Sequence, residues 1–244
     1  MLLLSLECSA VAASVALTDG PTLLAESFVN VKLTHSQTLM PMVESLLRSA
    51  ALMLDKVEGF AVSSGPGSFT GVRIGVAAVK GMAQALGRPC TGVSTLEAMA
   101  WQGAGVTGCV PGGREMVLCP VMDARRGQVY NALFRANGPQ PERLCEDRAL
   151  ALSDLAQELK NLKLCPFLIG DGAAMCYNEL EQAGIDCFLA PEAFRYQRAY
   201  GVALAAQERF LDHSAQEACD LQPTYLRLPQ AERDLNQRNT QKEV

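Results

Sequence analysis

The sequence predicts an α/β protein made of two tandem lobes that repeat one supersecondary unit. Runs of β-branched and small residues alternate with segments of helical periodicity, which is typical of strands covered by helices. The order hairpin, helix, strand, glycine turn, helix and strand occurs once in each half of the chain. Because identity between the halves is slight, the repetition is one of pattern, and it indicates a duplicated unit.

In the first half, three short strands precede two strand–helix pairs. Asp19-Gly20 is a hairpin turn signal, and Thr34 or Ser36 is the expected N-cap of the first helix. Pro41 either lies near the first turn of that helix or bends it. The predicted strands are residues 2–6, 10–17, 23–31, 57–62 and 90–93, and the predicted helices are about 35–54, 71–86 and 95–102, the last capped by Ser94.

The second half begins again with an apolar strand and a turn. The turn is DARRG at 123–127, and a weaker glycine turn, GDGA at 170–173, joins a later strand to a helix. The predicted strands are 116–122, 128–135, 167–169 and 186–189, and the predicted helices are 152–162, 173–182 and 195–211. In the strand 128–135, alternation places Leu133 and Phe134 on opposite faces.

The composition of residues 103–113, GAGVTGCVPGG, is typical of a loop and predicts the boundary between two domains. Residues 1–102 are then the first lobe and 103–228 the second, with the last helix, about 195–211, as a candidate to pack back on the first lobe. The tail 229–244 is polar and aperiodic, so we expect it to be disordered.

Composition argues against several functional classes. With 21 basic and 26 acidic residues the formal net charge is −5, which disfavours a chain that binds nucleic acid alone. Nine scattered cysteines without CxxC spacing, and only two histidines, predict buried thiols in a reducing cytoplasm and no zinc site. The N-terminus lacks a basic region, and no apolar run reaches about 20 residues. A cytoplasmic protein without a membrane segment is therefore expected.

The loop GPGSFTG at 65–71 leaves two interpretations open. It is not a P-loop, since no lysine follows Gly71, and it misses the dinucleotide fingerprint because Thr70 stands at the third glycine position. Gly65 and Gly67 permit positive φ, and Ser68 or Thr70 caps the following helix. Either this strand-to-helix turn holds an anion or nucleotide through free amides, or it is a tight turn without a ligand.

Two helices of the first half carry more apolar and small surface than one sheet covers. The helix after the glycine loop has a small-residue stripe at spacings of three and four, which is typical of close helix approach. The stripe comprises Gly71, Gly75, Ala78, Gly81 or Met82, and Ala85. The preceding helix is rich in Met and Leu. Sequence alone does not separate packing within the chain from packing on another chain.

At the glycine loop the sequence closely resembles the TsaB family, also called YeaZ. Residues 65–75, GPGSFTGVRIG, match the family hallmark residue for residue. Further matches run along almost the whole chain. They are the stretch 4–9, His35 before Leu39 and Pro41, GVSTLEAMA at 92–100, MDARRGQVY at 122–130, and PTYLR at 223–227.

The resemblance implies a duplicated ribonuclease-H-like, actin-like (ASKHA) fold and a role in making N6-threonylcarbamoyladenosine in tRNA. It implies that TsaD is the catalytic partner, that the ATPase TsaE assists, that tRNA is met through the complex, and that a homodimer forms without TsaD. No intrinsic cofactor is expected, but ATP or ADP could bind at the interface shared with TsaD. The implied interface lies on the helices at about 35–54 and 71–86, with His35, Leu39, Met42, Val43, Leu46, Gly71, Arg73, Gly75, Ala78 and Met82.

The resemblance also bears on catalysis. In TsaD-like relatives the stretch that matches GVSTLEAMA carries an HxxxH metal pair, and alignment on Glu97 puts Thr95 and Met99 at those positions. A hydroxyl and a thioether do not replace two imidazoles as ligands of a divalent ion. We therefore expect no metal site and no catalytic residue in this chain.

One departure from the family lies in the first strand. TsaB chains usually have Asp-Thr there, whereas this chain has Glu7-Cys8. Loss of the hydroxyl weakens any phosphate-binding role of that hairpin, so intrinsic ATP hydrolysis is not expected.

Several other polar or aromatic residues have structural explanations as their default. Asp123, Arg125 and Arg126 form a turn or, alternatively, a lobe–lobe ion pair or a tRNA contact, and Tyr130 and Tyr225 are expected to pack.

The leading hypothesis is a non-catalytic scaffold that activates a TsaD-like partner. The enzyme alternatives are a metallopeptidase of the glycoprotease type and an ATPase or sugar-kinase-like enzyme that acts alone. A self-sufficient homodimer with a separate role is the third alternative. Bound metal would favour the metallopeptidase, and steady ATP turnover would favour the ATPase or kinase. Failure of TsaD to displace the homodimer would favour the self-sufficient homodimer.

Overall fold

A computed structural model describes residues 1–107, 116–136, 140–162 and 165–227. The first half contains β1 (Leu2–Glu7), β2 (Ala13–Asp19), β3 (Thr22–Val29), α1 (His35–Ser49), β4 (Gly59–Gly65), α2 (Phe69–Leu86), β5 (Cys90–Ser94) and α3 (Thr95–Thr107). The second half contains β6 (Met116–Asp123), β7 (Gln128–Asn131), β8 (Phe134–Arg135), β9 (Glu142–Arg143), β10 (Arg148–Ala151), α4 (Leu152–Leu162), β11 (Cys165–Ile169), α5 (Ala173–Gln182), β12 (Phe188–Leu189), α6 (Glu192–Arg195) and α7 (Ala199–Leu211).

The two halves share one sheet topology. The first sheet has the order β3-β2-β1-β4-β5, and the second has β10-β7-β6-β11-β12, with β8 paired to β6 and β9 paired to β8. In each sheet the first strand lies in the centre, an antiparallel meander leads to one edge, and parallel strands lead to the other. This repetition confirms the predicted duplicated α/β unit.

Helices cover both faces of the first sheet. α1 and α2 bury their apolar residues against one face, in a core that includes Leu4, Leu17 and Phe60. α7, from the second half of the chain, packs on the opposite face, where Val202 and Ala206 share a core with residues of β1, β4 and α3. α3 also contributes to the core beneath the second sheet. The two lobes are therefore joined by α7, which comes from the second half and covers the first sheet, and by α3, which contacts the cores of both sheets. Among the described residues, no helix is both long and apolar enough to cross a membrane.

The predicted strand 128–135 is divided into β7 and β8. Pro120 in β6 has no N–H to donate, so the ladder opposite it is interrupted. Asn131 fills the gap: its buried amide nitrogen lies 2.9 Å from Pro120 O and 3.1 Å from Ala132 O. The faces are as predicted, since Leu133 and Phe134 lie in different cores.

Three predicted helix limits were wrong. α1 ends at Ser49, five residues before its predicted end at about 54. α3 continues to Thr107, five residues past the predicted end, because packing of Gly103 against Leu118 outweighs the poor helix propensity of glycine. The predicted helix 195–211 begins only at Ala199, because Tyr196 and Arg198 are extended and Arg195 ends the separate helix α6. There the buried Gln197 donates to Asp171 Oδ1 at 2.7 Å, and Arg198 binds Glu26.

The domain boundary lies only partly within the described residues, and the tail 229–244 lies outside them. In α1, Pro41 lies inside the helix and past its first turn. Thr34 occupies the N-cap position of α1 but makes no side-chain cap bond, whereas Ser94 Oγ accepts the Glu97 N–H at 3.2 Å, as predicted.

Candidate functional site

The glycine loop lies between β4 and α2, where two other segments of the chain come close to it. Gly65 has φ +123°, and a Cβ there would collide with the carbonyl oxygen of Thr224. Gly67 does not have positive φ, so that prediction was wrong. Its requirement for glycine comes from close approach, because a Cβ would collide with the carbonyl oxygen of Ser9.

Amides of this loop are partly engaged within the protein. The Ser68 N–H donates to Ser9 O at 2.7 Å, and Ser68 Oγ accepts the Gly71 N–H at 3.3 Å as the N-cap of α2. Thr70 is exposed and does not cap the helix. The glycines therefore serve contacts with the β1–β2 turn and the C-terminal segment, and an anion contact of the loop stays a prediction.

The small-residue stripe of α2 is divided between two faces. Gly71 and Gly75 face inward: a Cβ on Gly71 would collide with Cys8 O, and one on Gly75 would lie 2.5 Å from Cys8 Sγ. Met82 is also buried. These three residues were predicted to meet a partner, and the structure instead places them in the core of their own lobe.

The outward side of α2 is different. We define the open face of α2 as Arg73, Ala77, Gly81 and Ala85, which recur every four residues and are all exposed. A Cβ on Gly81 would have no atom within 4 Å. Ala78, beside this face, is half-buried and packs against the lobe core. Helix propensity disfavours glycine here, and no contact within the described chain requires it.

The apolar residues of α1 are also interior. Leu39, Met42, Val43 and Leu46 are buried against the first sheet, so their predicted place in a partner interface is corrected. A helix that covers a sheet uses its apolar stripe for that sheet. What α1 presents outward includes Met40, Glu44 and Arg48.

His35 joins the start of α1 to the β1–β2 turn. Its Nε2 lies 2.7 Å from Ala10 O, and because a carbonyl oxygen only accepts, Nε2 is the donor. Nδ1 is buried and has no hydrogen-bond partner within the described ranges. His35 is thus only partly accessible to a partner.

Arg73 is held by two aromatic rings. Its Nε donates to Tyr225 Oη at 2.7 Å, and its guanidinium lies 5.4 Å from the ring centroid of Tyr225 and 5.9 Å from that of Phe69. The two rings are stacked, with centroids 4.7 Å apart. Sequence reasoning treated Tyr225 only as packing; the single available signal was the PTYLR motif itself.

Tyr225 belongs to a segment that we name the C-terminal strap, residues 219–227. Lys80 of α2 donates to Cys219 O at 3.0 Å and Leu221 O at 3.1 Å. Further along, Thr224 N donates to Ser64 O at 2.7 Å, and Arg227 Nη1 donates to Ala124 O in the second lobe at 2.8 Å. The strap therefore runs along α2, covers Gly65 and ends on the other lobe.

Glu7 is buried at the end of β1. Its Oε1 accepts the Ser9 N–H at 2.6 Å, while Oε2 has no partner in the part of the chain that the structure describes. Burial raises the pKa of this carboxyl, although bonds from Ser9 oppose the shift. Burial likewise raises the pKa of the neighbouring Cys8 thiol, which lies 3.1 Å from Gly71 O. Both groups are therefore favoured in their neutral forms.

A cleft of about 340 Å³ separates the glycine loop from the second lobe. Asp171 and Asp123 lie on its second-lobe side. Burial raises the pKa of Asp171, while its bond from Gln197 opposes the shift. Asp123 accepts the Arg125 N–H at 2.7 Å and pairs with the Arg125 side chain at 3.2 Å, so the DARRG segment closes on itself as a turn. Among the described residues, Asp123 therefore pairs with Arg125 of its own turn and not with a residue of the first lobe.

The positions that match the HxxxH metal pair do not fit a metal. Thr95 and Met99 are both buried, and Met99 packs in the core beneath the second sheet. The Thr95 hydroxyl has no partner among the described atoms, but one hydroxyl and a core thioether are poor ligands for a divalent ion. Within the described ranges, no three His, Cys, Asp or Glu side chains are grouped so as to hold a metal ion.

The chain is similar to known proteins along most of its length. A family model described as TsaD, tRNA N6-adenosine threonylcarbamoyltransferase, matches residues 29–235. The tRNA threonylcarbamoyladenosine biosynthesis protein TsaB of Bacillus subtilis is 31% identical over 95% of this chain and 96% of its own length. The Escherichia coli protein of that name is 37% identical over 55% of each chain.

Solved structures agree. A Pseudomonas aeruginosa protein described as similar to peptidase YEAZ superposes with a TM-score of 0.78 at 26% identity, covering 93% of this chain and 99% of that one. A second, YeaZ from Pseudomonas aeruginosa, gives 0.73 at 27% identity over 92% and 99% of the two chains. Component A of the Acidaminococcus fermentans (R)-2-hydroxyglutaryl-CoA dehydratase, at 10% identity and a TM-score of 0.51 over 86% and 98%, shares the fold alone. The lobes are duplicated ribonuclease-H-like units of the actin-like class, and the chain belongs to the TsaB (YeaZ) family of tRNA threonylcarbamoyladenosine biosynthesis proteins.

Proposed function

We propose that this chain is a non-catalytic scaffold that pairs with TsaD and works with TsaE in forming N6-threonylcarbamoyladenosine in tRNA. The open face of α2 carries the proposal. An exposed, uncharged stretch at Ala77, Gly81 and Ala85 allows a partner helix to approach closely, and nothing within the described chain uses it.

The chemistry of the described residues favours a scaffold role over a catalytic role. Thr95 and Met99 stand where TsaD-like relatives carry metal-binding histidines, and both are packed in the interior. Glu7 and Cys8 are buried, and burial favours their neutral forms. The partner would then supply the metal and the transfer chemistry.

The remaining parts of the proposal follow from pairing with TsaD. The chain forms a homodimer through α1 and α2 when TsaD is absent, and TsaD replaces one copy. ATP or ADP binds at the shared interface, near the exposed Ser68 and Thr70 at the start of α2. tRNA is bound by the complex and not by this chain alone, because a net charge of −5 disfavours nucleic-acid binding by the isolated chain. The setting is the cytoplasm, where tRNA is modified.

Reconstitution tests the proposal. This chain would be co-purified with TsaD and TsaE from its own genome, and tRNA modification measured with and without it. We expect a stable complex with TsaD, and modification that depends on this chain. Equal modification in its absence would contradict the proposal. Stoichiometric metal on the purified chain, or steady ATP turnover by it, would favour an independent enzyme instead.

A further inference from the structure

We propose that Tyr225 is a positioning residue that orients Arg73, so that the free edge of the guanidinium pairs with a carboxylate on the TsaD-like partner. This inference rests on the proposed function. It adds the chemistry of the partner group, and it makes the C-terminal strap part of the docking surface.

Arg73 is exposed, yet its side chain is held in one direction. Its Nε donates to Tyr225 Oη at 2.7 Å, and the stacked rings of Phe69 and Tyr225 lie beside the guanidinium. No acceptor for its two Nη atoms lies among the described residues. The edge that binds a carboxylate through two parallel bonds is therefore unused and fixed in direction.

The unused edge of the Arg73 guanidinium lies beside small, uncharged residues. Arg73 lies at one end of the open face of α2, whose other members are Ala77, Gly81 and Ala85. An arginine and a tyrosine side by side next to small residues are typical of residues that dominate interface energies. Because rings and strap already restrict Arg73, less side-chain entropy is lost when a partner binds.

The acidic residues of α1 and α2 indicate which partner carries the carboxylate. α2 contains Arg73 and Lys80 but no acidic residue, and on α1 the exposed Glu44 already pairs with Arg48 at 2.6 Å. A second copy therefore offers Arg73 no free carboxylate on either helix. Charge complementarity favours a different chain with an acidic group at the matching position, here the TsaD-like subunit.

The strap gives Tyr225 its position. Thr224 is bonded to Ser64 next to the glycine loop, and Arg227 is bonded to Ala124 of the second lobe. Tyr225 is thus held between two anchors, each within two residues of it. Its hydroxyl is the only atom of the strap that is bonded to Arg73 among the described residues, so its removal releases Arg73 without unfolding the strap.

The test measures the dissociation constant of the full chain with its own TsaD, at low and high salt. Arg73→Gln removes the charge and keeps the length, and Tyr225→Phe removes the hydroxyl and keeps the ring. Tyr200→Phe is the matched control, since the Tyr200 hydroxyl bonds Pro21 O at 3.1 Å on another part of the surface.

We expect Arg73→Gln to weaken binding about tenfold or more and to reduce the salt dependence. Tyr225→Phe is expected to weaken binding about three- to tenfold, and to add nothing when Arg73→Gln is already present. Tyr200→Phe should bind as the wild type. A role of Tyr225 in stability alone would not produce this non-additivity.

Other outcomes overturn the inference. If the Tyr225→Phe loss persists in the Arg73→Gln background, Tyr225 does not act through Arg73. If Arg73→Gln weakens the homodimer as much as the complex with TsaD, the carboxylate belongs to a second copy. A wild-type complex that is insensitive to both changes contradicts this inference alone, whereas the absence of any wild-type complex contradicts the proposed function as well.

Discussion

Gly75 of α2 lies directly above the thiol of Cys8: a Cβ added at Gly75 would be 2.5 Å from Cys8 Sγ and 3.0 Å from Val62 Cγ2. Both residues are buried, and α2 lies this close to β1 and β4 only because residue 75 has no side chain. The inward glycines of α2 therefore serve the lobe core, whereas the outward Gly81 has no such explanation within the described chain.

Gly75→Ala is predicted to lower the free energy of unfolding by about 1–3 kcal/mol, because the added methyl overpacks the contact with Cys8. Chemical denaturation measures this. In a Cys8→Ala background the loss should shrink, since the smaller side chain makes room. Gly81→Ala is the control, and it should stabilise by up to about 1 kcal/mol through helix propensity. Equal effects at both glycines would contradict this account.

Glu7→Gln is predicted to change how stability depends on pH. Burial raises the folded-state pKa of Glu7 above its ordinary 4.5, so the folded chain holds this proton more tightly than the unfolded chain. The wild type should lose stability as pH rises from about 4.5 through the folded pKa, and the neutral glutamine should not. The measurement is unfolding free energy against pH for both chains.

The difference between the two curves reports on Glu7, because no other side chain differs between the two chains. Curves that run parallel from pH 4.5 to 9 would show that Glu7 ionises without cost.

Asn131→Ala is predicted to lower the free energy of unfolding by about 2–4 kcal/mol. The amide of Asn131 donates to Pro120 O and Ala132 O, and its oxygen accepts from Arg148 at 3.1 Å. The alanine removes the donor to Pro120 O and Ala132 O inside the protein, while Arg148 keeps its ion pair with Glu158 at 2.8 Å. Gln157→Ala, which breaks only an exposed bond to Asn161, is the control and should cost less than about 0.5 kcal/mol. A loss at Asn131 no larger than this would be inconsistent with the interrupted ladder.

Among the eight described cysteines, Cys219 is predicted to react first with a thiol reagent, because it alone of them is exposed. Cys8, Cys119 and Cys176 should be protected: burial raises the pKa of each, to about 12 for Cys176. Mass spectrometry after brief alkylation of the native chain gives the order. Early labelling of Cys176 would mean that α5 opens readily.

Local patterns predicted more of the fold than of the surface. The spacing of apolar residues predicted α4 at 152–162 to the residue, because its polar and apolar faces are cleanly separated. β10 was not predicted, since the half-buried stretch RALA has little β character apart from its pairing with β7. The break between β7 and β8 was missed because it depends on Pro120, which lies across the sheet.

For the site, the placement of a partner interface on α1 and α2 stays a prediction, and the sequence did not indicate which side of each helix faces outward. Gly71, Gly75 and Gly81 are equivalent in sequence. Only contacts with Cys8, which follows β1, and with Val62 of β4 separate the first two from Gly81. The pairing of Arg73 with Tyr225 joins residues that are 152 positions apart. Contacts of this range are set by the fold as a whole and leave no local signal.

The most direct test of the scaffold account is the affinity of TsaD for Gly81→Arg. Position 81 is open, so the variant should fold as stably as the wild type, while the long side chain blocks close approach to α2. Gly105→Arg is the matched control, because Gly105 of α3 is also exposed and open. The account predicts that Gly81→Arg weakens the complex about 100-fold or more and abolishes tRNA modification, with Gly105→Arg unchanged. Wild-type affinity in Gly81→Arg would contradict it.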